Sequence, residues 1–257
     1  MLDGSVQNFC KMMNEKTKEI GIENTHFTTP HGLDAENHYS SAYDLAKLAE
    51  YLLNIEYLAN IVKERSVNIK VNENTKILGT TNEMLSFYEG ANGVKTGFTG
   101  NAGRCLVASA TRNGRTLISV ALGCGNKKQR TEDSVKLLNY GFDNFEIVDI
   151  CENMRKEFYI RVEKSIATNY RIVLNGEIKT PILKENKQKI TYRYDVKDWF
   201  IAPVKENTII GKITIDLDGK PIKEIDIKLP KEITKKGVMD YLKNLMQIRM
   251  ENYEIRL

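Results

Sequence analysis

Asn113-Gly114, set between two apolar runs, constrains the local fold more than any other pair in the chain. Leu106-Val107-Ala108 precedes it and Leu117-Ile118-Ser119-Val120 follows. A type I′ turn needs positive φ at both central residues, and Asn-Gly between strand-like runs is the strongest short-range signal for one. The pattern predicts an antiparallel hairpin. Directly upstream lies Gly93-Val94-Lys95-Thr96-Gly97-Phe98-Thr99-Gly100, which puts Lys95-Thr96-Gly97 on or just before a strand leading into that hairpin. On an edge strand these three offer a cation, a hydroxyl and an approachable backbone. An extended peptide ending in a carboxylate calls for that combination, with strand addition for its backbone and charge for its end.

The remaining sequence reads as α+β. Val6, Phe9, Cys10 and Met13 recur at helical spacing and Gly21 supplies a stop, so a core helix is expected at the start. Ser41-Ala42-Tyr43-Asp44 reads as a helix start with a capping serine, and Leu45, Leu48, Ala49 and Leu52 give that helix a buried stripe. A weaker helix over Tyr57–Arg65, short strands from Ser66 to Ile77 and a plain connection over Asn82–Gly90 follow. Gly123-Cys124-Gly125 reads as a break, and a helix is expected from Thr131 to Gly141 with Arg130 just before it. From Glu146 the character changes to short alternating strands, which suggest a small sandwich. Val238, Met239, Leu242, Leu245 and Met246, with lysines beside them, predict a basic amphipathic helix within Lys235–Leu257.

Several functions are disfavoured. With 257 residues, 41% hydrophobic, the chain is long enough for two domains and an ordinary core. The net charge of +4 is mild and its lysines are scattered, so nucleic acid is not implied. His26, His31 and His38 match no common ligand spacing and sit among turn residues, so no metal is expected. Cys10, Cys105, Cys124 and Cys151 form no Cys-x-x-Cys pair and read as buried small hydrophobes, with a disulfide left open. The start carries no basic and apolar leader pattern.

Gly93 to Gly125 resembles the serine D-alanyl-D-alanine carboxypeptidases, the low-molecular-mass penicillin-binding proteins of peptidase family S11. The similarity continues through His26–Asp34 with His38–Ala46, and through Ile209–Ile213 with Leu217–Ile222. The resemblance implies a partial penicillin-binding-protein or β-lactamase-like transpeptidase domain over 1–145. A β-sandwich accessory domain over 146–230 and an amphipathic helix over 231–257 would follow. A class A β-lactamase relative fits less well, because that enzyme has no place for the β-domain or the tail.

The resemblance also implies roles. Lys95 supplies positive charge near the nucleophile and substrate carboxylate, and Thr96 donates a hydrogen bond to that carboxylate. Gly97 lets the substrate backbone approach, the Phe98 N–H is one oxyanion donor, and Arg130 helps bind the terminal carboxylate. No cofactor is implied. The family's Ser-x-x-Lys nucleophile motif occurs nowhere in the 257 residues. The one Ser-x-Asn, Ser66-Val67-Asn68, falls downstream of the family's position and reads as surface strand. The expectation is therefore a C-terminal portion that keeps substrate recognition and lacks the nucleophile. Alone it would be inactive, poorly stable, and open to β-lactams only when the missing part is supplied. Its implied partners are a peptidoglycan peptide ending in D-Ala-D-Ala and a membrane surface met through 235–249, on the extracytoplasmic side of a bacterial cell membrane. The alternative is a non-catalytic wall-binding or membrane-associated relic.

Overall fold

The computed structural model describes residues 4–72, 74–238, 240 and 250–256. The chain divides into two units, Met1–Asp143 and Asn144–Leu257. The first contains α1 (Val6–Ile20), α2 (Ala42–Leu53), α3 (Glu56–Val62), β1 (Ser66–Val71), β2 (Asn74–Gly79) and α4 (Met84–Phe87). It continues with β3 (Ala91–Thr99), β4 (Gly103–Arg112), β5 (Arg115–Cys124) and α5 (Lys127–Asn144).

The hairpin forms as its turn residues dictate. Arg112 pairs with Arg115 across Asn113 and Gly114, whose φ angles are 51° and 74°. Strand β3 adds antiparallel to β4 and completes a sheet ordered β3-β4-β5, so Lys95-Thr96-Gly97 lies on an edge strand among the described residues. One face packs Leu106, Ala108 and Ala110 against Leu138 and Phe142 of α5, with Met84 and Tyr88 completing the cluster. Toward the other face, Leu45, Leu48 and Leu52 of α2 line an apolar cavity of about 340 Å³ over β3–β5.

Several local expectations need correction. Helix α5 starts at Lys127, which puts Arg130 inside its first turns. Arg130, Ser134, Leu138 and Phe142 are all buried at four-residue spacing, so the inward stripe begins with a charged residue that a hydrophobic pattern misses. Gly141 does not end the helix. A Cβ there would lie 2.6 Å from Leu117 Cδ1, so glycine lets α5 approach β5 closely. The connection over 82–90 contains α4, whose Met84 and Leu85 are buried. Cys124 closes β5 and is buried, so residues 123–125 are not a break in the fold. Helix α1 is capped by Ser5 and Gly21 as its sequence suggests, but it buries only Cys10 and Thr17. The leucines of α2 are likewise only half-buried. Ser66-Val67-Asn68 lies on the exposed hairpin β1–β2.

The second unit contains β6 (Phe145–Asp149), β7 (Glu157–Glu163), β8 (Asn169–Asn175), β9 (Lys179–Leu183) and a 3₁₀ turn at Lys184–Lys189. Strands β10 (Ile190–Val196), β11 (Trp199–Ile201), β12 (Ile209–Leu217), β13 (Lys220–Lys228) and β14 (Met250–Arg256) follow. Sheets ordered β10-β12-β13 and β11-β7-β8-β14 share one core, with Phe158, Ile160 and Ile172 meeting Ile213, Ile215 and Ile227. The alternation along these strands is what places every second side chain inward.

Met250–Arg256 is strand rather than the expected helix, running parallel to β8. Tyr253 and Ile255 pack on the sandwich core, and Tyr253 stacks on Tyr170 with ring centroids 5.9 Å apart. That period-two pair suits a strand with one face inward. Most of the amphipathic stripe, Met239 and residues 241–249, lies outside the described residues. No described helix is long and apolar enough to cross a membrane.

An ion pair between the buried Asp216 carboxylate and the exposed Arg193 guanidinium joins two strands of the second unit. Arg193 Nε and Nη2 donate to Asp216 Oδ2 and Oδ1 at 2.6 and 2.8 Å. These bonds hold the Asp216 carboxyl below its ordinary range. A carboxylate with a depressed folded pKa contributes stability above its unfolded pKa and loses it as pH falls through the folded value. The unfolded value is about 3.9, so the loss belongs below about pH 4. Urea titrations at pH 6 and pH 2.5 are expected to show a smaller acid-induced drop in midpoint for Asp216→Asn than for the parent. Equal drops would count against this assignment.

Candidate functional site

A cleft of about 690 Å³ opens beside the exposed edge of β3. Lys95, Thr96, Gly97 and Phe98 form one wall, the start of α5 brings Lys127 and Arg130, and the loop before α4 brings Thr81 and Glu83. His31 and Arg104 complete the rim. The structure therefore brings together all five site residues singled out in the sequence. Four cations against one carboxylate make the cleft complementary to an anion.

The fold positions each of these groups. Pairing with β4 in the register Thr96↔Leu106 and Gly97↔Cys105 holds the triplet extended. Lys95 is exposed, and its Nζ donates to the Thr96 carbonyl at 2.7 Å. The Oγ1 atoms of Thr96 and Thr81 lie 2.5 Å apart. A Cβ on Gly97 would meet Cys105 Cβ at 3.7 Å, an ordinary contact, so packing within the chain does not demand glycine there. Gly97 leaves an exposed position on its strand without a side chain. The Phe98 ring is exposed, with the Arg104 guanidinium 3.8 Å from its centroid.

Arg130 is only 3% exposed. Its Nη2 donates to the Thr81 carbonyl at 3.5 Å and lies 4.0 Å from Glu83 Oε2, while its Nε has no partner. Glu83 also accepts from Thr131 Oγ1 at 3.1 Å. This is an expensive way to keep a cation, since a buried charge is costly unless well paired.

Sequence reasoning missed Thr81, Glu83, Arg104, Lys127 and the position of His31 in this wall. The loop that carries Thr81 and Glu83 is pinned to β3 by Asn82, whose buried side chain donates to the Gly93 carbonyl at 2.9 Å. The other two histidines are held inside their loop. His26 Nδ1 lies 2.7 Å from the Asn37 carbonyl, and His38 Nδ1 accepts from the Thr28 N–H at 3.1 Å.

Comparison with known proteins gives the family. Residues 1–126 match the family described as D-alanyl-D-alanine carboxypeptidase, and residues 155–235 match the C-terminal domain of penicillin-binding protein 5. The structure of penicillin binding protein 5 from Haemophilus influenzae superposes with a TM-score of 0.72 at 32% identity, covering 91% of this chain and 68% of that one. The chain belongs to the D-alanyl-D-alanine carboxypeptidase family.

Among curated carboxypeptidases of that family, DacF of Bacillus subtilis is 31% identical over 95% of this chain and 64% of its own length. DacA of Escherichia coli K12 is 32% identical over 93% of this chain and 60% of its own length. The chain thus spans roughly three fifths of the carboxypeptidases it matches. Arg130 lies just beyond the residues matched to the carboxypeptidase family, on the helix that follows them directly.

Proposed function

We propose that this chain supplies the substrate-recognition side of a serine D-alanyl-D-alanine carboxypeptidase and binds peptidoglycan stem peptides ending in D-Ala-D-Ala. The observation that carries this reading is the meeting of an open edge strand bearing Lys95-Thr96-Gly97 with the buried Arg130 in one cationic cleft. The peptide adds alongside β3, with Gly97 giving its backbone room. Thr96 donates its hydroxyl proton to the terminal carboxylate, Arg130 supplies the matching charge, and Lys95 adds positive potential at the reacting end. The Phe98 N–H serves as one of two donors to the oxyanion of the tetrahedral intermediate, worth about 10²–10³ in rate.

The nucleophile is another matter. The family's scheme uses a serine that gives its proton to the motif lysine, forms an acyl-enzyme and is released by water. The 257 residues contain no Ser-x-x-Lys. Removing nucleophile and base costs about 10⁶ in comparable enzymes, so these residues alone bind without cleaving. Within the same reading the whole enzyme works on the extracytoplasmic face of the cell membrane, and residues 235–249 serve as a contact with the membrane surface.

The test is titration of the purified chain with an N-acetylated peptide ending in D-Ala-D-Ala, followed by NMR, alongside incubation with a fluorescent penicillin. Saturable binding near about 1 mM, some 4 kcal/mol, with no covalent label is expected. Absence of binding would remove the recognition reading. A covalent penicillin adduct would show a nucleophile that this scheme does not contain.

A further inference from the structure

The loop facing Lys95-Thr96-Gly97 across the cleft touches both groups assigned above to the ligand's carboxylate. Thr81 Oγ1 lies 2.5 Å from Thr96 Oγ1. The carbonyl of the same residue accepts from Arg130 Nη2 at 3.5 Å. From behind, the loop is held by Asn82, which is buried, donates to the Gly93 carbonyl and receives the Met84 N–H at 3.3 Å. Thr81 itself is exposed to the cleft, so its hydroxyl is not needed to fill space in the core.

The hydroxyl pair has a simple proton count. Two hydroxyls carry two protons, and only one can lie between the oxygens. The other is free for a third group. With no ligand, either oxygen can be the donor. An ionised carboxylate is acceptor-only, so it must receive the free proton. When Thr81 donates to Thr96, the Thr96 proton turns away from Thr81 and toward the ligand. A hydroxyl that accepts one hydrogen bond also donates a stronger one, so the two steps reinforce each other.

We propose that Thr81 is a positioning residue for the carboxylate subsite, orienting the Thr96 hydroxyl toward the ligand while its carbonyl steadies the Arg130 guanidinium. The inference rests on the reading that the cleft takes a peptide with a free C-terminal carboxylate. Thr81 acts through Thr96 and Arg130. Its contribution therefore lies in discrimination between a terminal carboxylate and a neutral end, beyond affinity as such.

The experiment compares N-acetyl-D-Ala-D-Ala with its C-terminal carboxamide, titrated by NMR into the full chain as parent, Thr81→Val and Thr81→Ser. The valine variant keeps the shape and removes the hydroxyl. It is expected to weaken carboxylate binding about 5- to 10-fold, the worth of one hydrogen bond, and to leave carboxamide binding within twofold. Serine keeps the hydroxyl and is expected to restore most of the parent's preference. An unchanged preference in Thr81→Val overturns the proposal, as does an equal loss for both ligands or a serine variant as impaired as valine. If the parent shows no preference for the carboxylate, the cleft reading itself fails and takes the role of Thr81 with it. If the parent discriminates and Thr81→Val does too, only the positioning role is lost.

Discussion

Phe158→Ala is expected to destabilise the second unit by about 3–5 kcal/mol, the usual cost of deleting a buried phenyl ring together with the cavity it leaves. Phe158 is 2% exposed on β7, opposite Ile172 on β8, with the Tyr194 ring 6.0 Å away from the facing sheet. It therefore joins the two sheets of the sandwich at their common core. The Arg155 guanidinium lies 4.5 Å from its centroid and loses a cation–π partner in the variant. In a domain of this size each kcal/mol lowers the melting temperature by roughly 4 °C, so a drop on the order of 10 °C or more is expected. The chain has one tryptophan, Trp199, on β11 beside β7. Its fluorescence during urea unfolding reports on the sandwich and not on the cleft-bearing unit. A loss below about 1 kcal/mol, well under the expected range, would mean that Phe158 is not the centre of that core.

What could be read from the sequence follows from where the determining interactions lie. The β4–β5 hairpin was legible because Asn113 and Gly114 carry their own conformational requirement. The sandwich strands were legible because Phe158, Ile160 and Val162, and Tyr170, Ile172 and Leu174, alternate inward at period two. Strand β14 was not, because among its described side chains it is Tyr253 and Ile255 that pack on the core, while its ladder partner β8 lies far upstream. The start of α5 was misplaced because Arg130 occupies a buried position on a stripe otherwise completed by Ser134, Leu138 and Phe142. The candidate site shows the same division. The Lys95–Phe98 wall is contiguous and could be seen, whereas Thr81 and Glu83 reach it only through contacts that tertiary folding creates. A charged residue on a helix's inward stripe breaks the local hydrophobic rule, and such breaks are expected at functional sites.

That break supports the second large effect. Arg130→Met is expected to leave the unfolding midpoint unchanged or raise it, while weakening binding of a D-Ala-D-Ala peptide by about 10- to 100-fold. The two halves of this prediction have one cause. Without ligand, the buried guanidinium has an unpartnered Nε, and its nearest carboxylate, Glu83, stands 4.0 Å away with half its side chain in solvent. Replacing a poorly compensated buried charge with an apolar side chain of similar size is commonly neutral or stabilising. In the proposed complex the same guanidinium meets the ligand's carboxylate, and a charge-assisted hydrogen bond of that kind is worth about 1.5–3 kcal/mol. Lysine should rescue little, because the planar fork that Thr81 and Glu83 steady is what presents the charge in two directions. Parallel urea titrations and NMR binding curves on the parent, Arg130→Met and Arg130→Lys separate the two effects. A methionine variant that unfolds more easily but binds as the parent does would make Arg130 a structural residue. One that keeps its stability and loses the ligand would show that this buried cation is retained for the carboxylate it meets.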